Sequence, residues 1–169
     1  MYGLGDTVMY GTHGICRINA TETRKIDKKL VEYYVLEPIY QPGATYFVPI
    51  HNAAAAAKLQ PVLSIEQLDL VFQEAMSVSS DWIPDENSRR TLYRELLNCG
   101  ERRSLISMCT TVIKQRKTLL DSGKKFHQCD DNFLRDVLKM LRSEYAYIHG
   151  ITQPEARERM IEIFEKNCD

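Results

Sequence analysis

The 169-residue sequence has little of what usually announces an enzyme, a secreted scaffold or a membrane protein. Its five cysteines, Cys16, Cys99, Cys109, Cys129 and Cys168, are odd in number, irregularly spaced and without a C-x-x-C pair. That pattern argues against a disulfide framework and against a structural zinc site, and reduced, idle thiols are the expectation. No stretch approaches the roughly 18 apolar residues that span a bilayer, and the opening MYGLGDTVMY lacks a basic segment followed by an apolar run. A cytoplasmic protein without a membrane partner is therefore expected. Charge of one sign is also missing, because 22 Lys and Arg face 23 Asp and Glu. Any attraction for nucleic acid must be local.

It is local. Residues 59–81 carry four acidic side chains and no basic one, whereas 82–130 carry ten basic against six acidic. A solvated helix surface would account for that excess without any function, and so would a DNA-facing surface.

Up to about residue 50 the pattern is that of strands. DTVMY, GICRINATETRKI, LVEYYVLEP and ATYFVP are rich in Val, Ile, Tyr and Thr, and GTHG, DKK and QPG between them hold turn residues. Four or five short strands with no helix between them predict a small antiparallel barrel or strongly bent sheet over residues 1–60. If not fully closed, such a sheet offers an edge to a partner.

After Asn52 the period becomes helical. AAAAAKL is a strong helix former that Pro61 stops. Ser64 and Gln67 form a capping box for a connecting helix over 64–76, with Leu68, Val71 and Phe72 on one face. The stretch SVSSDWIPDENS breaks the pattern and reads as a domain linker over 77–87. Helices follow from about Asp85 to Asn98, from Arg102 to about Leu120, and through the stripe Leu134, Val137, Leu138, Leu141, Tyr145 and Ile148. Thr152 and Glu155 cap a last one, with Met160, Ile161 and Phe164 apolar. The fold class is thus α+β: an N-terminal antiparallel β-barrel followed by a C-terminal α-helical bundle over 61–169.

GDTVMYGTHGICRINATETRKI, EYYVLEP and YFVPIHN together resemble the N-terminal module of the CarD family of bacterial RNA-polymerase-binding regulators, which is related to the polymerase-interacting domain of transcription-repair coupling factor. The features that carry the resemblance are Gly5-Asp6, Tyr10 with His13-Gly14, Glu22-Thr23-Arg24, Glu32-Tyr33 through Leu36, and Val48-Pro49 with Asn52. The resemblance implies a Tudor/SH3-like barrel that docks on the polymerase β subunit, and a helical domain that reaches promoter DNA at the upstream edge of the melted bubble. On this reading Arg24 contacts the polymerase, where a guanidinium pairs bidentately with a carboxylate. The strand around Phe47, Val48 and Pro49 is the second contact.

For DNA, the lone Trp82 is the sharpest candidate, as a wedge or stacking platform at a distorted base step or else as an interdomain anchor. Arg89, Arg90, Arg94, Lys124 and Lys125 are the expected phosphate ligands. So few charges and one aromatic do not read a base sequence, so contact with DNA is expected to be largely non-sequence-specific. His13 is expected to order its turn by a side-chain hydrogen bond rather than to do chemistry, since neither a nucleophile with a base nor further metal ligands accompany it. No cofactor, metal or small-molecule substrate is expected. A protein-only adaptor, binding polymerase or a repair partner without DNA, is the alternative.

Overall fold

The structure is a computed structural model that describes residues 2–78 and 80–168. It divides into two compact units, Met1–Val62 and Leu63–Asp169.

The first unit is built on five antiparallel strands: β1 (Thr7–Tyr10), β2 (Ile15–Ile26), β3 (Lys29–Pro38), β4 (Tyr46–Pro49) and β5 (Leu59–Pro61). They run in the order β4-β3-β2-β1-β5. The expected closed barrel is not what forms. Among the described residues no pairing joins β4 to β5, so the sheet is open and both are edge strands. Between β4 and β5 lies the four-residue helix α1 (Ala53–Ala56), which Asn52 caps by accepting the Ala55 N–H at 3.0 Å. Val8, Cys16, Ile18, Tyr34, Leu36, Val48 and Leu59 form the core on one face of the sheet. At its margin the Tyr34 hydroxyl donates to the Tyr2 carbonyl (3.1 Å), and the Tyr2 hydroxyl donates to the Leu59 carbonyl (3.2 Å).

Strands β2 and β3 make a long hairpin paired from Cys16↔Pro38 to Ile26↔Lys29. Its turn residues Asp27 and Lys28 both take positive φ, 47° and 66°, the geometry whose twist suits a two-residue hairpin and which Asn-Gly usually supplies.

The second unit is helical: α2 (Ile65–Ser77), α3 (Glu86–Cys99), α4 (Arg102–Asp121), α5 (Gln128–His149) and α6 (Gln153–Cys168). The starts are fixed by short-range chemistry. Ser64 and Gln67 close the expected capping box, Asp85 accepts the Ser88 N–H, and Glu101 accepts those of Arg103 and Ser104. Thr152 and Glu155 exchange bonds in the same way ahead of α6. Gly100 and Gly150 end α3 and α5 in the left-handed conformation. The core holds Leu68, Phe72, Leu105, Cys109, Val112, Phe133, Val137, Leu141, Met160 and Phe164. Ile161, expected on the apolar face of α6, is 45% exposed.

Helix α2 and the stretch after it, expected as a connecting helix and a linker, are bonded to α4 within the helical unit. Arg103 of α4 pairs with Glu74 of α2. The Ser107 hydroxyl donates to the Val78 carbonyl at 3.0 Å, and the Thr111 hydroxyl to that of Ser80 at 3.1 Å. Residues 78 and 80–85 therefore form an extended strap along α4. Its carbonyls find donors on a neighbouring helix, which a solvated segment would not provide.

Candidate polymerase-binding and DNA-binding surfaces

Alternation along β2, β3 and β4 sorts their side chains onto two faces. The core takes Tyr34, Leu36 and Val48. The paired positions Glu22↔Tyr33↔Pro49, Arg24↔Val31 and Val35↔Phe47 then share the opposite face. On it Arg24 lies with its guanidinium carbon 3.6 Å from the centroid of the Phe47 ring. Glu22 holds the same guanidinium through two hydrogen bonds of 3.1 Å, from Nε and Nη2. Phe47, 37% exposed, meets Tyr33 edge to face at 6.5 Å. A planar cation is thus set over an aromatic ring and held by a carboxylate, beside partly exposed Tyr33, Val31, Val35 and Pro49. Such a surface suits a partner that brings a carboxylate and apolar contact area.

Of the four expected polymerase contacts, Arg24, Phe47 and Pro49 lie on this outer face. Val48 does not: it is 1% exposed and its side chain belongs to the core. Tyr33, Val31 and Val35 are the residues sequence reasoning missed. Their period-2 alternation with Tyr34 and Leu36 is the signal that marks their face.

His13 sits in a single 3-10 turn, Gly11–His13. Its ring lies 5.1 Å from that of Tyr10 and 4.1 Å from that of Tyr46. These ring contacts pack the turn against Tyr10 and Tyr46. Burial pushes the neighbouring Cys16 thiol up to about 12, which makes it a poor nucleophile. Among the described residues no three His, Cys, Asp or Glu side chains are grouped to hold a metal.

In the helical unit the expected DNA ligands separate sharply. Arg89 is withdrawn from solvent, 2% exposed. Its Nε and Nη2 grip Asp130 of α5 at 2.8 and 3.0 Å, and Nη1 donates to the carbonyls of Ile83 and Pro84 at 3.0 and 2.9 Å. Tyr93 adds a hydroxyl bond to Asp130 of 2.8 Å, and its own ring stacks on Phe133 at 4.1 Å. Burial and the carboxylate together raise the Tyr93 pKa. Arg89 is therefore a structural cation, not a phosphate ligand. Four of its five N–H donors are spent inside the unit.

Trp82 depends on the same arginine. It is half-buried on the strap, with the Arg89 guanidinium 4.3 Å from its ring centroid. A chain of support runs from Asp130 to Arg89 to the indole, which is held as a platform with one face covered. Arg90 and Arg94, one turn apart on α3, are exposed; Arg90 pairs with Glu86 at 2.6 Å. Lys124 and Lys125 are exposed between α4 and α5. A second buried pair, Arg102 with Glu144, joins α4 to α5 through bonds of 2.7 Å from Nε and Nη2. The Leu63 N–H also donates to Glu144, at 3.2 Å.

Comparison with known proteins bears on both units. Over 157 residues the chain is 21% identical to a Bacillus subtilis (strain 168) protein named "Putative transcription factor YdeB", covering 93% of this chain and 98% of that protein. The strand unit, with its outer face of Arg24 and Phe47, is similar to the CarD-like/TRCF RID domain, whose family model matches residues 2–63.

Proposed function

We propose that the protein is a non-enzymatic transcription regulator that binds the RNA polymerase β subunit through the outer face of its sheet and touches promoter DNA through its helical unit, altering the lifetime of the open complex. The observation that carries the reading is the ordered Arg24–Phe47 stack, which lies within the span matched by the CarD-like/TRCF RID domain. The resemblance of nearly the whole chain to a protein named as a transcription factor supports the regulatory role.

On the DNA side, Trp82 offers its uncovered surface to an unstacked base step, and Arg90, Arg94, Lys124 and Lys125 offer charge to phosphates. Contact of this kind is salt-dependent and indifferent to sequence. A second reading is favoured by one observation: Arg89 is consumed by Asp130 and Arg90 is paired with Glu86, which thins the positive surface near Trp82. On that reading the protein is an adaptor that binds polymerase without DNA.

The test is binding to purified polymerase, with and without fork-junction DNA, at two salt concentrations. Arg24→Glu is expected to lower affinity for polymerase at least tenfold, because it places a like charge against the partner's carboxylate. Unchanged affinity removes Arg24 from the contact. A complex whose affinity for fork-junction DNA is no greater than that of polymerase alone selects the adaptor.

A further inference from the structure

Away from Trp82, helices α4, α5 and α6 enclose a cleft of about 940 Å³ within the helical unit. Its apolar lining includes Ile113, Leu134, Leu138, Ile161 and Phe164. Ile161 is the residue of α6 that the apolar stripe predicts to be inward and that stands 45% exposed instead. Around this floor stand six cations, Arg116, Lys117, Arg135, Lys139, Arg142 and Arg157, against two acids, Asp131 and Glu165. On α5 the cations at 135, 139 and 142 follow helical spacing and rise about 10 Å alongside Leu134 and Leu138. The cleft is thus a concave apolar strip with a positive rim, in which Arg135 also pairs with Asp136 at 3.3 Å.

Phosphate contact comes from charge and gains nothing from an apolar floor. Apolar side chains that enter the cleft do gain, and the rim selects those flanked by carboxylates. We propose that this cleft docks an acidic amphipathic helix of a protein partner, whose apolar residues at i, i+3 or i+4, and i+7 enter between α5 and α6 while its Asp and Glu meet the rim. The helix is a second partner, separate from whatever the sheet face binds, and the proposal does not depend on contact between Trp82 and DNA.

The full-length protein is titrated into a fluorescein-labelled 18-residue peptide with leucines at those spacings and glutamates on both flanks, followed by anisotropy. Two control peptides are used, one scrambled and one with the leucines replaced by serine. The ordered peptide is expected to bind at least tenfold more tightly than either control. Ile161→Ser, and separately the pair Arg135→Glu with Lys139→Glu, are expected to weaken it at least tenfold. Trp82→Ala is expected to leave it unchanged, so that failure here and failure of the DNA reading are told apart. The changed side chains are exposed, and equal thermal midpoints check that the variants fold; the control peptides on the unaltered chain test the proposal independently of any variant. Equal binding of the three peptides overturns it. So does displacement of the ordered peptide by equimolar duplex DNA, or a concentration-dependent self-association that Ile161→Ser abolishes.

Discussion

Arg89 and Arg90 are neighbours in sequence and opposites in environment. The first is sealed between α3, the strap and α5 with its charge cancelled by Asp130, and the second projects into solvent. Truncating Arg89 strands a buried carboxylate, so Arg89→Ala is expected to cost about 3–5 kcal/mol, read by denaturant unfolding. Arg90→Ala is expected to leave the unfolding midpoint where it is, and to lower the salt slope of DNA association by about one unit. Trp82→Ala removes a stacking surface but no polar partner. It is expected to shorten the open-complex lifetime by about five- to a hundredfold, as loss of a stacked base does. A large loss of stability without change in lifetime would make the indole an anchor instead. The sequence made both arginines equal candidates because charge pattern is local, and the partner of Arg89 lies 41 residues away. The stacking of Arg24 on Phe47 was not legible, since it needs the register of three strands.

Helix starts are written in three or four residues, which is why those of α2, α3 and α6 are legible in the sequence. Ser64 with Gln67, Asp85 with Ser88, and Thr152 with Glu155 satisfy orphan N–H groups that no distant residue could reach more cheaply. The same bonds lower carboxylate pKa values. Glu66 is held down by its own N–H and the Ser64 hydroxyl, Asp85 by the N–H and hydroxyl of Ser88, and Glu155 by the N–H and hydroxyl of Thr152. A folded value below the unfolded one adds stability that is complete above the ordinary carboxylate range. It fades as pH falls through the lowered values, so acid is expected to loosen the helical unit below about pH 4. Circular dichroism at 222 nm along an acid titration checks this, and Asp85→Asn is expected to flatten the loss.

Strand closure and the course of residues 78 and 80–85 were not legible. The first depends on whether β4 and β5 meet across an intervening helix. The second depends on carbonyls finding Ser107 and Thr111 on α4. At the β2–β3 turn the left-handed conformation of Lys28 carries a cost that glycine lacks. Lys28→Gly is therefore expected to raise the stability of the sheet unit by about 1 kcal/mol, read by denaturant unfolding.

At the scale of the whole chain, two cores of different origin share one polypeptide. The sheet core is assembled from strands between Thr7 and Pro61, and the helical core from α2 to α6. Among the described residues each encloses one fully buried thiol, Cys16 in the first and Cys109 in the second, while Cys99 is exposed at the end of α3. These thiols make the chain its own clock. An alkylating reagent takes Cys99 at once, and it reaches Cys16 or Cys109 only when the surrounding unit opens, so peptide mass spectrometry over time yields two opening rates from one sample. Arg89→Ala is expected to hasten the trapping of Cys109 and leave that of Cys16 unaltered. A bound polymerase fragment is expected to slow Cys16 alone.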